Sequence, residues 1–581
     1  MSSDCLLPLF VSLFALAGPF SSAQTMNPSG TPGSAALASP PILTSSTSSS
    51  IPASANDGKV TFRTQTVLIQ VPVIVTDKHG DHVHGLTKND FRVFENGKVQ
   101  TLSSFEELIA TKDAFPSVPL KPGQYGNLTL SEEKPRPVTV IVLDTVNTPY
   151  LNQTYGRREL VKYLADHLDT SQILALMVIT SHGVKVIQGL DGDSTKLIQA
   201  LKKASSEIPY LQGINTDTQA AAATGDIPRI PPPGADPSLA IEAFIERVDA
   251  LDAQFQQRNA IETTMNGFLG VAWALSGVPG RKSVVWATGG FPFTMYSSNQ
   301  APNTDLSTLY ERTMHALEEA QVAVYPIDVR GLLDSSSVSE ASSSRMPNAR
   351  RINDRAWLEG STIDSLNEVA DMTGGKAFYN TNDLTESFRR ASDDESSYYL
   401  LGYYVDTHNR PAGWRQLKVK VDKDNIEIRA RKGFFVTDDM TRAASNKSSD
   451  MNYALTADLE GTGVPVMVEW AGIASEGEKK KAHFVAHMPP NALVIDALAR
   501  NKIDFDFAAV AIREKDSREV ARSASNFSKE LADSQVASIR SNGVVFKNAL
   551  EVTPGKYTVR FVVRDNFTGK VGSVTAPLTV N

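Results

Sequence analysis

The chain has 581 residues, with 57 Lys and Arg against 65 Asp and Glu, which gives a net charge of −8. A chain of this length forms several hydrophobic cores rather than one. The mild acidity disfavours a nucleic-acid-binding protein, which needs a basic face. We therefore expect no nucleic acid among its partners.

Residues 1–23 have the pattern of a secretory signal peptide. The apolar run from Leu6 to Gly18 is too short to span a bilayer, and small residues follow it up to Ala23. The segment before the run departs from the usual pattern, because it has no Lys or Arg. We expect cleavage near Ala23 and a protein that is periplasmic, on the cell surface or secreted. The only cysteine, Cys5, lies in this leader, so the mature chain has no disulfide framework.

The next segments are a linker and a small β module. Residues 24–58 are rich in Ser, Ala and Pro, which is typical of a disordered tether. Residues 59–110 alternate apolar and polar side chains, and the Asn96-Gly97 pair predicts a hairpin. No later segment is apolar for long enough to cross a membrane, so we expect a chain that does not span one.

Strand and helix patterns alternate over residues 135–405. The apolar runs VTVIVLD, QILALMVIT, KSVVWAT and VAVYPIDV are separated by helical segments. This alternation predicts an α/β domain with a doubly wound, mostly parallel sheet covered by helices on both faces. Residues 406–437 then form a β extension. After a Ser- and Asn-rich break, residues 452–581 predict a β-sandwich of immunoglobulin or fibronectin type.

Several separated motifs resemble a known family. VIVLDTVNT, PGRKSVVWATGGFP and ALEEAQVAVYPIDVRGL, followed by LNEVADMTGGKAFYN, resemble a von Willebrand factor type A domain. The flanks VPVIVTDKHGDHVHGLTKNDFRVFENGKVQ and YYLLGYYVDTHNRPAGWRQLKVKV are similar to the exported "VWFA-related" proteins of Acidobacteria. The resemblance covers about residues 60–436 and implies a multidomain protein with an A-type domain between β modules.

The resemblance also implies a divalent-cation site at the carboxyl ends of the strands. The family binds the cation with a D-x-S-x-S sequence, a threonine on a second loop and an aspartate on a third. Asp144 matches the first aspartate and Thr148 the second serine, but Val146 stands where the first serine is expected. Thr264 is the best candidate for the threonine, although Thr263 is equally placed.

The third-loop aspartate is absent, because Gly289 and Gly290 occupy its region. The sequence therefore predicts a degenerate site that holds Mg²⁺ or Ca²⁺ weakly or not at all. The alternative is that Asp144, Asn147 and Thr148 fix the loop through hydrogen bonds to backbone groups. Asn147, Gly289 and Gly290 would form the ligand-binding edge.

Other polar clusters have two interpretations each. A histidine-rich hairpin turn would bind zinc or would be an ordinary polar turn; its residues are Asp77, His79, Asp81, His82 and His84. Ser181 and His182 would belong to a hydrolase site only if an acid met them in space, and a loop is the simpler interpretation. Asp328 and Arg330 suggest an ion-paired strand end rather than a catalytic acid. Core packing is expected of the tyrosine cluster, with an aromatic ligand platform as the alternative; its members are Tyr398, Tyr399, Tyr403 and Tyr404.

These patterns favour an exported, non-enzymatic binding or adhesion protein whose partner is a protein or a surface glycan. The motifs of serine hydrolases, zinc proteases and phosphate-binding loops are missing from the sequence. Two alternatives stay open. One is a hydrolase with an unrecognised active site, and the other is a structural component of a secreted or envelope assembly.

Overall fold

The computed structural model describes the chain over the following ranges: residues 66–109, 120–127, 138–166, 173–191, 197–199, 237–291, 304–332, 362–394, 396–406, 413–436, 439–476, 479–497 and 499–581. All of them belong to one compact unit, Pro40–Asn581. The predicted signal peptide, with Cys5, and the predicted linker lie outside the described residues. The domain boundaries stay predictions.

A mixed five-stranded sheet forms the centre of the chain. Its strands are β6 (Val138–Asp144), β7 (Ile173–Thr180), β8 (Gly183–Asp191), β9 (Lys282–Thr288) and β10 (Val322–Asp328), and their order is β10-β9-β6-β7-β8. The first four strands of that order are parallel, while β8 pairs antiparallel with β7. Every residue of β6, β9 and β10 is buried, as their continuous apolar runs predict.

Helices pack against this sheet. They are α1 (Tyr150–Asp166), α2 (Pro237–Leu275), α3 (Thr304–Glu319), α4 (362–373) and α5 (Leu384–Asp393). One core lies between the sheet and helices α2, α3 and α4, where Phe268 packs edge-on against Trp286 with ring centroids 4.9 Å apart. A second core joins the sheet to α1 and α5, where Tyr163 stacks on Phe388.

Strands near the amino terminus pair with strands that follow the central sheet in the sequence. The early strands are β1 (Thr66–Asp77), β2 (Phe91–Glu95), β3 (Lys98–Gln100) and β4 (Ser104–Ile109), and the later ones are β11 (Ser397–Asp406), β12 (Gly413–Val421), β13 (Ile426–Arg429) and β14 (Gly433–Val436). Across about 300 residues, β1 pairs with β11 and β13, β4 with β11, and β2 with β12. β3 pairs with β2, and β14 pairs with β12. The two sheets have the orders β13-β1-β11-β4 and β14-β12-β2-β3, and they share one apolar core. The predicted hairpin is confirmed, with Asn96 and Gly97 both at positive φ.

The carboxy-terminal part consists of two further antiparallel sheets. Their strands are β5 (Gln124–Gly126), β15 (Met467–Glu476), β16 (Lys479–Met488), β17 (Ile495–Asp496), β18 (Lys502–Arg513), β19 (Arg518–Glu530), β20 (Val544–Val552), β21 (Gly555–Asp565) and β22 (Val571–Val580). The orders are β20-β16-β15-β5 and β17-β18-β21-β22, with β19 paired to β18. A shared aromatic core joins the sheets, and Phe484 stacks on Phe507 within it.

Two helices accompany these strands, α6 (Asp439–Thr456) and α7 (Asp533–Asn542). The Ser- and Asn-rich segment expected to be a break lies inside α6. Asp450 of α6 receives hydrogen bonds from Arg564 of β21 and from Arg312 of α3, so one buried carboxylate joins the central and carboxy-terminal parts. Asn127, which follows β5, holds that strand in the carboxy-terminal part, since its side chain bonds the backbone of Gly461, Val464 and Val466.

The predicted fold class is therefore wrong for this chain. Antiparallel sheets and strands predominate in the described residues, and the central sheet is mixed rather than doubly wound and parallel. β8 is antiparallel to β7 because only the short turn through Ser181 and His182 joins the two strands. A parallel neighbour would need a crossover connection of about a dozen residues. The β elements that flank the central sheet in the sequence also pair with each other, β1 with β11 and β2 with β12.

Candidate functional site

Asp144 ends the central strand β6, and its carboxylate is the centre of a buried hydrogen-bond network. The backbone N–H groups of Val146 and Asn147 donate to Oδ1 over 3.0 and 2.9 Å. The side chains of Asn147, Trp286 and Thr288 donate to Oδ2 over 2.7, 3.1 and 3.0 Å. The two carboxylate oxygens therefore accept five hydrogen bonds from protein groups.

The loop after Asp144 takes its shape from these bonds. The two bonds to Oδ1 close an Asx-type turn, which is the structural alternative that the sequence offered. Thr145 Oγ1 donates to the carbonyl of Ile179 over 2.7 Å and holds the loop to strand β7. Val146 packs against the apolar core shared by the sheet and helices α2, α3 and α4. The family has a metal-binding serine at this position, whereas the Val146 side chain contributes to hydrophobic packing.

Thr264 of α2 meets the network through one amide group. Asn147 Nδ2 donates both to Asp144 Oδ2 and, over 2.8 Å, to Thr264 Oγ1. Both Asn147 and Thr264 are buried. The family resemblance implies that Asp144 and Thr264 bind one cation together. In this structure the side-chain amide of Asn147 lies between them and donates a hydrogen bond to each.

The region of the missing third aspartate contains backbone and hydroxyl donors. Gly289 N donates to Thr148 Oγ1 over 2.8 Å, and Thr288 Oγ1 donates to Asp144. A Cβ on Gly289 would lie 2.7 Å from Pro149 Cδ, so only glycine fits there without displacement. Gly290, at φ 147°, packs beside Thr362. The structure thus brings together all six predicted site residues, Asp144, Asn147, Thr148, Thr264, Gly289 and Gly290, and buries them.

Burial dominates the electrostatics of this site. It raises the pKa of the Asp144 carboxyl above its ordinary value, while the hydrogen bonds from Asn147, Thr288 and Trp286 act in the opposite direction. The cavity next to Asp144 has a volume of about 10 Å³, about the space of one water molecule. An organic substrate does not fit in such a space.

The residues present fit a hard cation poorly. Mg²⁺ prefers six oxygen ligands in octahedral geometry, whereas the Asp144 oxygens face hydrogen-bond donors that a cation would have to displace. Asn147 Oδ1 is buried and accepts no hydrogen bond from the described residues. One such oxygen adds little to an ion's shell. Within the described ranges, no three His, Cys, Asp or Glu side chains come together as a metal-binding group.

The histidine-rich turn directs its side chains to different partners. Asp77 Oδ1 accepts the backbone N–H groups of His79 and Asp81. His82 Nε2 lies 3.3 Å from the carbonyl of Asp393, and His84 Nδ1 lies 2.9 Å from Glu107. Burial lowers the pKa of His82. This arrangement supports the polar-turn interpretation over the zinc interpretation.

Ser181 and His182 form the exposed turn between β7 and β8, with Ser181 Oγ 3.2 Å from His182 Nδ1. Among the described residues, no carboxylate is bonded to the His182 ring, so the orienting acid of a catalytic triad is missing there.

Asp328 forms the expected ion pair with Arg330, at 2.7 Å. The expected core role of the tyrosines is confirmed for Tyr398, Tyr399 and Tyr403, which are buried, while Tyr404 is exposed.

The sequence did not indicate a surface cleft of about 270 Å³ between β1, α3 and β14. Its lining combines apolar side chains with polar ones; the polar members are Gln70, His315, Glu318, Glu319, Gln321, Arg431 and Lys570. Gln321 Nε2 donates to Gln70 Oε1 over 2.5 Å, and Arg431 pairs with Glu318 at 2.6 Å. The lining comes from five separated segments, so no local pattern could have indicated it.

Comparisons with known proteins add little. No family model and no curated protein matches the chain. One similar solved structure is the "TFIIH p34 N-terminal Domain", at 11% sequence identity, covering 44% of this chain and 96% of that chain with a TM-score of 0.19. In the part of the chain that the structure describes, no helix combines the length and apolarity that a membrane crossing needs.

Proposed function

We propose that the protein is an exported, non-enzymatic binding protein that recognises a protein or a surface glycan. The observation that carries the proposal is the set of five hydrogen bonds to Asp144. In these hydrogen bonds, protein groups hold the loop at the carboxyl end of strand β6. This edge of the central sheet is therefore rigid without a bound ion. A rigid scaffold of this kind favours binding by a preformed surface.

The polar groups at this edge are bonded to each other and buried, which disfavours an enzyme there. A catalytic base must reach the proton that it abstracts, and Asp144 lies below the surface beside a cavity of about 10 Å³. The exposed pair Ser181 and His182 lacks an orienting carboxylate in the described structure. Both observations support binding over hydrolysis.

The cleft beside Gln70 is the surface that we propose for the ligand. Its volume of about 270 Å³ is close to the lower end of ligand-binding pockets. Amide, carboxylate and guanidinium groups lie there beside apolar surface from Leu68 and Ile69. Such a lining suits the hydroxyl groups and apolar faces of a sugar, or a short polar peptide segment.

The test is binding of the mature protein to envelope fragments and to a glycan array, with and without EDTA. Gln70→Trp fills the cleft from the exposed side of β1 and should weaken binding at least about 10-fold, whereas Gln100→Trp on β3 should leave it unchanged. EDTA should have no effect. Equal binding by both variants, a requirement for divalent cation, or turnover of the bound material would overturn the proposal.

A further inference from the structure

Helix α2 has two halves with different environments. From Ala260 onward its side chains enter the core beneath the central sheet, where Met265 and Phe268 are buried. From Pro237 to Asn259, none of the side chains that the structure describes is buried. At about 1.5 Å per residue, this amino-terminal half is about 34 Å long. Its stability therefore needs an explanation other than packing on the sheet.

The amino-terminal half carries an exposed apolar stripe. Six large apolar side chains lie along it with exposed fractions between 45% and 64%; they are Ile241, Phe244, Ile245, Val248, Leu251 and Phe255. Five of them follow an alternating spacing of three and four residues, 241, 244, 248, 251 and 255. That spacing places them at the a and d positions of heptads, which is the seam of a coiled coil.

Charges beside the seam indicate the orientation of a partner helix. With Ile241 at position a, Arg247 occupies a g position and Asp252 the following e position. In a parallel two-stranded coiled coil, each g residue faces the e′ residue five positions later on the partner. Arg247 of one copy would thus face Asp252 of the other, twice over by symmetry. An antiparallel pair of the same helices would not make this contact.

A membrane surface suits the helix less well than a second copy does. Residues 237–259 contain four acidic residues and two basic residues. Helices that lie on membranes usually have Lys and Arg on their polar face, because lipid headgroups are often anionic. The preceding sequence PRIPPPGADP is rich in proline, a composition that disfavours a helix.

We propose that the amino-terminal half of α2 is a homodimerisation helix, which pairs in parallel with the same helix of a second copy. Five a and d layers become buried, and the Arg247–Asp252 contacts set the register. The seam is short, so the interface falls in the weak or transient class, with a dissociation constant in the micromolar range. This proposal is independent of the proposed binding function.

The first test is sedimentation equilibrium of the mature chain from about 1 to 200 µM. The wild type should shift from monomer to dimer over this range, and Leu251→Glu should remain monomeric. Leu151→Glu, an equally apolar and more exposed position on α1, is the matched control and should dimerise normally. Unchanged melting curves would show that both variants fold. A monomer at every concentration, or a dimer insensitive to Leu251→Glu, would overturn the proposal.

Orientation is tested by charge exchange and by crosslinking. Arg247→Glu and Asp252→Arg should each weaken the dimer about 3- to 10-fold, and the double variant should restore it. Because the only natural cysteine is in the predicted leader, a single introduced cysteine reports contacts cleanly. Ile241→Cys and Phe255→Cys should each form a disulfide dimer in a parallel pair. If neither crosslinks, or if the chain stays monomeric but binds anionic vesicles, a parallel homodimer is excluded.

Discussion

Trp286 and Asp144 lie on neighbouring parallel strands, and the indole Nε1–H donates to the Asp144 Oδ2 over 3.1 Å. The bond crosses from β9 to β6 inside the core, where the same indole packs against Phe268 and Phe291. The indole N–H of a core aromatic residue thus donates a hydrogen bond to a buried carboxylate. Because the acceptor is desolvated, losing any of its donors leaves polar atoms unbonded in a low-dielectric environment.

Thr288→Val should destabilise the protein by about 1–3 kcal/mol, because it removes a hydrogen bond to a buried carboxylate. Thr139→Val is the matched control. Thr139 lies on β6, is equally buried, and its hydroxyl has no partner among the described residues. That control should be neutral or slightly stabilising. Urea unfolding checks both, and equal effects of the two variants would show that the Thr288 bond contributes nothing.

Divalent cations should affect stability little. Because the Asp144 oxygens already accept five hydrogen bonds, we expect 5 mM Mg²⁺ or Ca²⁺ to shift the melting temperature by less than about 2 °C, which corresponds to about 1 kcal/mol or less. Asp144→Ala should destabilise equally with and without the ion. A large cation-dependent shift that disappears in Asp144→Ala would establish a metal site there.

The pH dependence of Asp144 has a definite sign. Its pKa is raised above 3.8 in the folded chain, mainly by burial. Between 3.8 and the raised value the unfolded chain has lost this proton while the folded chain keeps it, so stability falls as pH rises. The difference in unfolding free energy between wild type and Asp144→Asn should therefore decrease as pH increases from 3.5. A difference that grows with pH would contradict the buried carboxyl's raised pKa.

Glu386 should behave in the opposite way. Hydrogen bonds from Arg389 and Arg390 lower its pKa from 4.5 to about 2, and its contribution is present above 4.5 and lost as pH falls toward 2. The difference between wild type and Glu386→Gln should thus shrink on acidification. Partial exposure of these side chains keeps the effect small. Unfolding curves between pH 2.5 and 6 measure it, and a constant difference over that range would argue against the ion pairs.

Gly289→Ala should destabilise the edge of the central sheet by about 1–3 kcal/mol, because the added Cβ would lie 2.7 Å from Pro149 Cδ and 2.9 Å from Thr148 Cα. Gly189→Ala on β8 is the control, since nothing lies within 4 Å of its added Cβ. Thermal unfolding of the two variants should differ clearly. Similar melting temperatures would show that the loop after Asp144 shifts at little cost.

Asp450→Ala should cost about 3–5 kcal/mol, because it leaves the buried guanidinium of Arg564 without its carboxylate. Asp422→Ala breaks the exposed pair with Arg92 and should cost at most about 1 kcal/mol.

A fragment starting at Asn452 would lack both Asp450 and strand β5, so we expect it to unfold without cooperativity. Cooperative unfolding of residues 452–581 alone would show that neither contact is needed.

Local patterns in the sequence determined most individual elements. The apolar run that ends at Asp144 is a fully buried strand, and the Asn96-Gly97 pair is a hairpin turn. Both depend on properties of adjacent residues, namely continuous apolar character and tolerance of positive φ. The six candidate site residues were named from the resemblance to the von Willebrand factor type A motif, and five of them end or follow strands while Thr264 lies in α2.

Only the tertiary structure decided how these elements pair and what the site contains. β1 pairs with β11 and β5 with β15 across more than 300 residues, and periodicity carries no information about such partners. The antiparallel β8 and the four antiparallel sheets of the described residues overturned the expected fold, a doubly wound, mostly parallel α/β domain flanked by β modules. The donors to Asp144 from Trp286 and Thr288 come from another strand, so the physical reason for a carboxylate at the end of β6 became visible only once that strand lay beside it.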